Sequence, residues 1–77
     1  MTKEERQLID LLGIRVRQAR KSRKWSQQRV ADEARVSRAT LANIERRAFV
    51  PSFANVTRIA GVLGLSIDAI VKASKLT

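Results

Sequence analysis

Hydrophobic residues recur three and four positions apart in five segments of the chain, and short polar stretches separate these segments. In the first segment they fall within one arc of about 100° on a helical projection, the width of a stripe that faces a core. The pattern predicts an all-α fold in one domain spanning residues 1–77. The predicted helices cover about residues 3–22, 27–34, 38–46, 53–63 and 67–73.

Residues that favour helix ends stand at the boundaries of these segments. A side-chain oxygen that can accept the first free backbone N–H groups precedes each segment, at Thr2, Ser26, Ser37, Ser52 and Ser66. Pro51 breaks the pattern before the fourth helix, and Gly64 ends that helix. Gly13, in the middle of the first helix, indicates a close contact with another helix.

The apolar stripes also define an expected core. The first helix is expected to contribute Leu8, Ile9, Leu12, Val16 and Ala19. The fourth helix is expected to contribute Phe53, Val56, Ile59, Ala60 and Leu63. Trp25 and Phe53 are interpreted as core aromatics, because no alternating strand pattern supports base stacking. Leu11 and Ile14 lie off the first stripe and need a second surface, either the last helix or another subunit.

Residues 26–47 contain two of the short amphipathic segments, joined by a break of only a few residues. Their apolar positions face one another across the break, and the small Ala31 allows the two helices to approach closely. A helix pair joined by such a tight turn is the helix-turn-helix unit, whose second helix can enter the major groove of DNA.

Charge supports that interpretation. The formal net charge is +9, and residues 15–47 carry 11 of the 16 lysines and arginines but only three of the seven acids. A basic half of this kind favours binding to a polyanion, although a solvated surface gives the same composition. The chain has no cysteine and no histidine. Without a thiol nucleophile or a histidine base, we expect no enzyme, no metal, no cofactor and no small-molecule substrate.

Membrane insertion is not expected either. The first residues lack the apolar core of a signal peptide, and no apolar run approaches the roughly 18 residues of a membrane span. Arg58 and Asp68 interrupt the most hydrophobic region. A basic amphipathic helix on a membrane surface is disfavoured because the cations do not share one long helix. These features favour a cytoplasmic protein.

Several motifs stand in a recognisable order and spacing. They are Leu12-Gly13-Ile14-Arg15-Val16-Arg17-x-x-Arg20, Trp25-Ser26-Gln27-x-x-Val30-Ala31, Val36-Ser37-Arg38-x-x-Leu41-x-x-Ile44-Glu45, Pro51-Ser52 and Leu63-Gly64-Leu65-Ser66-Ile67-Asp68. Together they resemble the Cro/repressor (xenobiotic-response-element type) helix-turn-helix regulators over about residues 11–71. The resemblance implies a five-helix, lambda-repressor-like domain that binds double-stranded DNA, most like small stand-alone members such as restriction–modification controller proteins.

The resemblance also implies which residues of the third helix read DNA bases. Arg38, Ala39 and Asn43 match the family positions that face base edges, and Thr40 can serve a base or a phosphate. Arginine can donate two hydrogen bonds to guanine and asparagine can pair with adenine, each contact giving ~1–3 kcal/mol of discrimination. The alternatives are a phosphate contact or a plain surface cation for Arg38, and simple helix propensity for Ala39.

Phosphate contacts are expected along the same surface. Gln27 matches the family position that contacts a phosphate, and a helix N-terminus suits an anion there. Its alternative role is an exposed residue of the first turn, while Ser37 can cap its helix, contact a phosphate, or do both. The expected phosphate contacts are Gln27, Gln28, Arg35, Ser37, Arg46 and Arg47.

The resemblance further implies a structural salt bridge between Arg20 and Glu45. Arg20 lies at the edge of the core stripe of the first helix, so we expect it to be half-buried. Two departures from the family pattern are Arg35 and Arg47, which stand where glycine is usual. A left-handed backbone there would cost roughly 1–2 kcal/mol, and we hypothesise that phosphate contacts offset this strain.

We therefore expect a sequence-specific transcription regulator that binds a near-palindromic operator as a homodimer, such as a restriction–modification controller or a Cro-like phage repressor. The last helix has more apolar surface than one small core absorbs. The expected dimer contacts are Leu65, Ile67, Ile70 and Val71. The alternative is an antitoxin-like protein that binds a toxin partner and autoregulates its operon.

Overall fold

The computed structural model describes residues 1–74 and contains five α-helices there, with no strand among the described residues. The all-α, helix-turn-helix architecture predicted from the hydrophobic pattern is confirmed. The third helix ends one residue earlier, and the fifth one residue later, than the pattern indicates. The helices are α1 (Lys3–Ser22), α2 (Gln27–Ala34), α3 (Arg38–Glu45), α4 (Phe53–Leu63) and α5 (Ile67–Ser74).

Each helix begins after a residue whose side-chain oxygen accepts a backbone N–H. At α1, the Glu5 N–H donates to Thr2 Oγ1 at 3.1 Å and the Thr2 N–H donates to Glu5 Oε1 at 3.0 Å, forming a capping box. The backbone and side-chain bonds from Thr2 lower the pKa of Glu5 below its ordinary value. The other caps are Ser26, Ser37, Ser52 and Ser66. Because each cap contributes about 1 kcal/mol, these residues fix where the helices start.

The core forms where α1 packs against α3, α4 and α5, while α2 packs against α3 and α4. Its largest fully buried side chains come one from each of the first four helices: Val16, Val30, Leu41 and Ile59. The fifth helix adds Ile70, whose side chain is 2% exposed. Because α1 touches three other helices, it is the scaffold against which the α2–α3 pair is held.

Ile70, one of the expected dimer contacts, also belongs to the hydrophobic core. Only 2% of Ile70 is exposed, so most of its surface packs within its own chain, although it also lines an apolar groove. Leu65, Ile67 and Val71 are half-buried and keep part of their apolar surface exposed.

The structure also corrects the expected role of Phe53. Its side chain is 76% exposed because it is the first residue of α4, where the chain arrives from a loop that exposes Phe49 and Val50. The buried positions of α4 begin six residues further on, at Ile59, and continue with Ala60 and Leu63. Trp25 is half-buried and packs against the core.

Gly13 is the point of closest approach between α1 and α3, as its position in the first helix indicates. A Cβ at this residue would lie 2.5 Å from the carbonyl oxygen of Ile44 and 2.7 Å from Cγ of Arg47. Contacts this short leave no room for any side chain. Glycine is therefore required here by packing, not by its own backbone conformation.

No single helix within residues 1–74 has the length and hydrophobicity to cross a membrane. The helices α4 and α5 reach these values only when they are taken together, and they meet at a bend of 110°.

Candidate nucleic-acid interface

The turn between α2 and α3 is closed by a residue in the left-handed conformation. Arg35 has φ 58° and ψ 43°, and its N–H donates to the Asp32 carbonyl oxygen at 3.3 Å. The Val36 N–H donates to the Ala31 carbonyl oxygen at 3.0 Å, which completes the C-terminal cap of α2. This geometry lets the chain turn sharply into Ser37, the cap of α3.

Three non-glycine residues among the described ones have a left-handed backbone. All three are cations: Lys24, Arg35 and Arg47. The left-handed conformation expected at Arg35 and Arg47 is confirmed, whereas that of Lys24 was not anticipated. Each of the three follows the C-terminal turn of a helix, where the partial negative charge of the helix dipole favours a cation. This attraction offsets part of the roughly 1–2 kcal/mol that the conformation costs a residue with a side chain.

A buried ion pair ties α3 to α1. Arg20 Nε donates to Glu45 Oε2 at 2.7 Å and Arg20 Nη2 donates to Glu45 Oε1 at 2.9 Å, while the two side chains are 12% and 3% exposed. Arg20 Nη1 also donates to the Trp25 carbonyl oxygen at 2.9 Å. The hydrogen bonds to Glu45 raise the pKa of Arg20 above its ordinary value. The structure thus brings the two predicted partners together in a bidentate arrangement.

Glu45 also reaches the N-terminus of α2, because Gln27 Nε2 donates to Glu45 Oε1 at 3.3 Å. One carboxylate therefore connects the last turn of α3, the end of α1 and the first turn of α2. Gln27 is half-buried, so its amide is held in place and not free in solvent. This network fixes the angle between the helices of the α2–α3 pair.

The outer face of α3 presents residues of two kinds. Arg38 and Ala39 are exposed, and no hydrogen bond or ion pair engages the Arg38 guanidinium within residues 1–74. Thr40 and Asn43 are half-buried and have partners on the same helix: the hydroxyls of Thr40 and Ser37 are 2.8 Å apart, and Arg46 Nη2 donates to Asn43 Oδ1. The first pair is free to contact a ligand, whereas the second is oriented by its neighbours.

The expected phosphate contacts are distributed around this face. Gln28 is exposed and its Nε2 donates to Asp32 Oδ1 at 2.8 Å. Arg47 lies with its aliphatic stem over Gly13, and its carbonyl oxygen accepts a hydrogen bond from Arg6 Nη2 at 2.8 Å. The cations of this set are all exposed: Arg35, Arg46 and Arg47.

Comparison with known proteins agrees with this geometry. A helix-turn-helix family model matches residues 16–70, which is more than half of the chain. The chain belongs to the helix-turn-helix family. A relative, the immunity repressor protein of Bacillus phage phi105, is 42% identical over 60 residues, which are 78% of this chain and 42% of the relative. The chain thus spans less than half the length of that relative, and no solved structure matches it.

Membership of the helix-turn-helix family confirms the predicted resemblance to Cro- and repressor-type regulators at the level of the family. The relative is named as a phage repressor, and neither comparison bears on the restriction–modification controller subtype.

The sequence interpretation missed one cation–π cluster of this helix-turn-helix protein, formed by one tryptophan and two arginines. The Cζ atoms of Arg29 and Arg23 lie 4.1 Å and 5.3 Å from the centre of the Trp25 ring, both within the range of a cation–π contact. Arg23 also donates a hydrogen bond to the Val62 carbonyl oxygen and so ties the end of α1 to α4. The signal in the sequence was a tryptophan with an arginine two residues before it and another four residues after it.

A second surface of the helix-turn-helix domain is apolar. A groove enclosing about 290 Å³ runs between α1, the loop before α4, and α5. Every residue that lines it is uncharged and apolar, and the exposed Phe53 and Val50 stand at its edge. Three of the expected dimer contacts, Ile67, Ile70 and Val71, line the groove. Leu65 does not line it and instead packs against the core.

Proposed function

We propose that this protein is a repressor of transcription that binds double-stranded DNA sequence-specifically as a homodimer. The observation that carries the proposal is Arg38, an exposed cation without an internal partner in the first turn of a helix that the Arg20–Glu45 pair holds rigid. A guanidinium presented in this way can donate two parallel hydrogen bonds to guanine O6 and N7 in the major groove.

The other residues of α3 complete the proposed base readout. The exposed Ala39 offers a methyl group to a thymine methyl, and Asn43 offers an amide to adenine. Arg46 holds the Asn43 oxygen, which fixes the orientation of that amide. Thr40 is bonded to Ser37, so it is better suited to support the helix end than to read a base. The base-reading set therefore centres on Arg38, Ala39 and Asn43.

Contacts with the phosphate backbone of DNA orient this readout. Gln27 and Gln28 stand at the N-terminus of α2, where free N–H groups and the helix dipole favour a phosphate oxygen. Arg35, Arg46 and Arg47 follow the ends of α2 and α3 and add exposed positive charge. Each phosphate neutralised makes binding more sensitive to salt, with a slope of roughly −0.9 in log K against log salt.

Dimerisation through the apolar groove supports the same function. A two-fold interface uses the same patch on both subunits, and this patch contains both a projecting Phe53 and a hollow beside it. Two copies that each carry a net charge of +9 repel one another. The groove is the surface on which they can meet with least repulsion, because uncharged side chains line it. A two-fold dimer that binds successive major grooves would hold its two α3 helices about one DNA turn, ~34 Å, apart.

The test is a selection of bound duplexes from a random pool, with the full chain as bait. We expect a near-palindromic consensus, and we expect Arg38→Ala to lose the preference for guanine at one position of each half-site, at a cost of ~1–3 kcal/mol for that base pair. Asn43→Ala should relax a different position. If both variants select the same consensus as the original protein, the base-reading assignment is wrong, and if no consensus emerges at all, sequence-specific binding is wrong.

A further inference from the structure

One side of α1 runs along the C-terminal end of α3. At 100° per residue, Arg6, Gly13, Arg17 and Arg20 fall within about 60° of one another. Three of these residues contact the end of α3: Arg6 bonds to the Arg47 carbonyl oxygen, Gly13 packs against Ile44, and Arg20 binds Glu45. Arg17 lies on this line between Gly13 and Arg20. It is therefore next to the α2–α3 pair, the proposed DNA-reading unit.

The end of α1 carries a run of cations without acids. Between Asp10 and Asp32 the chain has no acidic residue. Some of its cations are already engaged, since Arg20 binds Glu45, while Arg23 and Arg29 lie on the Trp25 ring. Four exposed cations of the run have no ion pair and no side-chain hydrogen bond within residues 1–74: Arg15, Arg17, Lys21 and Lys24.

Three of these four cations form a ridge that leads into the N-terminus of α2. Lys21 follows Arg17 by one helical turn, and Lys24 closes α1 with its N–H on the Lys21 carbonyl oxygen at 2.9 Å. Arg15 points elsewhere, because it is rotated about 140° from Arg20 and lines a hollow between α1 and α5. The α1 ridge, Arg17, Lys21 and Lys24, therefore borders both ends of the DNA-reading unit.

We propose that the α1 ridge binds the phosphate backbone of the DNA that flanks each half-site, beyond the base pairs that α3 reads. Arg17 and Lys21 lie about 6 Å apart along α1, at ~1.5 Å per residue, and Lys24 follows just beyond the end of the helix. Phosphates of one strand follow at about 3.4 Å along the duplex axis, so each of the three cations can contact a phosphate of its own. This inference rests on the proposed function, since it extends the footprint of a protein already bound at its operator.

The experiment compares the selected operator in two duplexes, one ending at the consensus and one with about ten further base pairs on each side. The original protein should bind the longer duplex more tightly, and its salt dependence should be steeper there. The ridge variant combines Arg17→Gln, Lys21→Gln and Lys24→Asn, because asparagine tolerates the left-handed backbone of residue 24. We expect this variant to lose the additional affinity for the longer duplex. Its slope of log K against log salt should become shallower by up to about 2.7, or 0.9 for each contact.

The matched control combines Arg15→Gln, Arg58→Gln and Lys72→Gln, three exposed residues outside the ridge. It removes the same net charge and should keep both the gain from the flanks and the salt slope on the longer duplex. Equal losses in the two variants would show a general charge effect and overturn the inference. A ridge variant that keeps the flank-dependent gain would also overturn it, while leaving the proposed function intact. Loss of selective binding by the original protein would instead refute the proposed function.

Discussion

Glu45 is the single acid on which the position of α3 depends. It is the only acidic residue between Glu33 and Asp68, and its carboxylate accepts bonds from Arg20 and Gln27. A carboxylate that is 3% exposed is stable in its charged form only when such donors replace water. The arrangement makes the orientation of α3 depend on one ion pair.

Breaking this pair should destabilise the fold strongly. Arg20→Met keeps most of the side-chain volume but leaves the Glu45 carboxylate buried without its guanidinium. We expect the free energy of unfolding to fall by about 3 kcal/mol or more, the usual cost of an uncompensated buried charge. Urea unfolding followed by circular dichroism measures this change.

The control for this substitution is Lys72→Met. Lys72 pairs with Asp68 across one turn of α5, but both side chains are about three-quarters exposed. Solvent screens such a pair, so its loss should cost less than about 0.5 kcal/mol. Similar losses in the two variants would show that burial does not distinguish the pairs and would contradict the role assigned to Glu45.

The single-residue contacts differ in how far the sequence could reveal them. The Arg20–Glu45 pair was expected because the family resemblance implied it, while helical spacing indicated only that Arg20 would be half-buried. The bonds from Arg46 to Asn43 and between Ser37 and Thr40 were not expected, because they depend on side-chain rotamers that spacing does not determine. These bonds change the interpretation of the site, since they engage Thr40 and Asn43 but leave the Arg38 guanidinium on α3 without a partner within residues 1–74.

Among the helices, α1 determines how closely α3 can pack. The contact is made by Gly13, where an added Cβ would lie 2.5 Å from the carbonyl oxygen of Ile44. Gly61 in α4 offers the opposite case, because nothing lies within 4 Å of a Cβ placed there. The two glycines sit within helices of the same fold and differ in the space around them.

Alanine substitutions at these glycines should therefore act in opposite directions. Gly13→Ala must push α3 away from α1, and we expect it to lower the free energy of unfolding by about 1–3 kcal/mol. Gly61→Ala should raise it by up to about 1 kcal/mol, because alanine favours a helix over glycine. Thermal unfolding of the two variants gives the comparison. A neutral or stabilising Gly13→Ala would contradict the close approach of the two helices.

The positions of the helices could be predicted from the sequence more directly than the burial of their side chains. The serine caps and the 3.6-residue period place the helices because both act within a few residues of chain. Phe53 was misplaced because the same periodicity holds for the first turn of α4, where the loop carries the side chain away from the core. The burial of Ile70 was not predicted, since whether a residue of α5 packs in its own core depends on tertiary packing.

Taken whole, the molecule separates charge from hydrophobic surface. Most of the exposed cations lie on α1, α2 and α3 or in the turns that follow them, whereas the apolar groove lies between α1, the loop before α4, and α5. A small chain buries a limited fraction of its surface, so covering the groove with a second copy adds to its stability. This separation fits the proposed function, in which one surface binds DNA while the other holds two copies together.

Dimerisation should depend on the aromatic side chain that projects at the groove. Phe53→Ser removes this side chain without taking anything from the core, because Phe53 is 76% exposed. If Phe53 enters the groove of the partner, the dimer dissociation constant should rise about 30-fold or more, which corresponds to a loss of 2 kcal/mol at an interface hot spot. Phe49→Ser is the matched control, since Phe49 is 44% exposed but does not line the groove. Sedimentation equilibrium should show that the control retains the dimer, whereas equal effects in both variants, or a dimer that survives Phe53→Ser, would place the interface elsewhere.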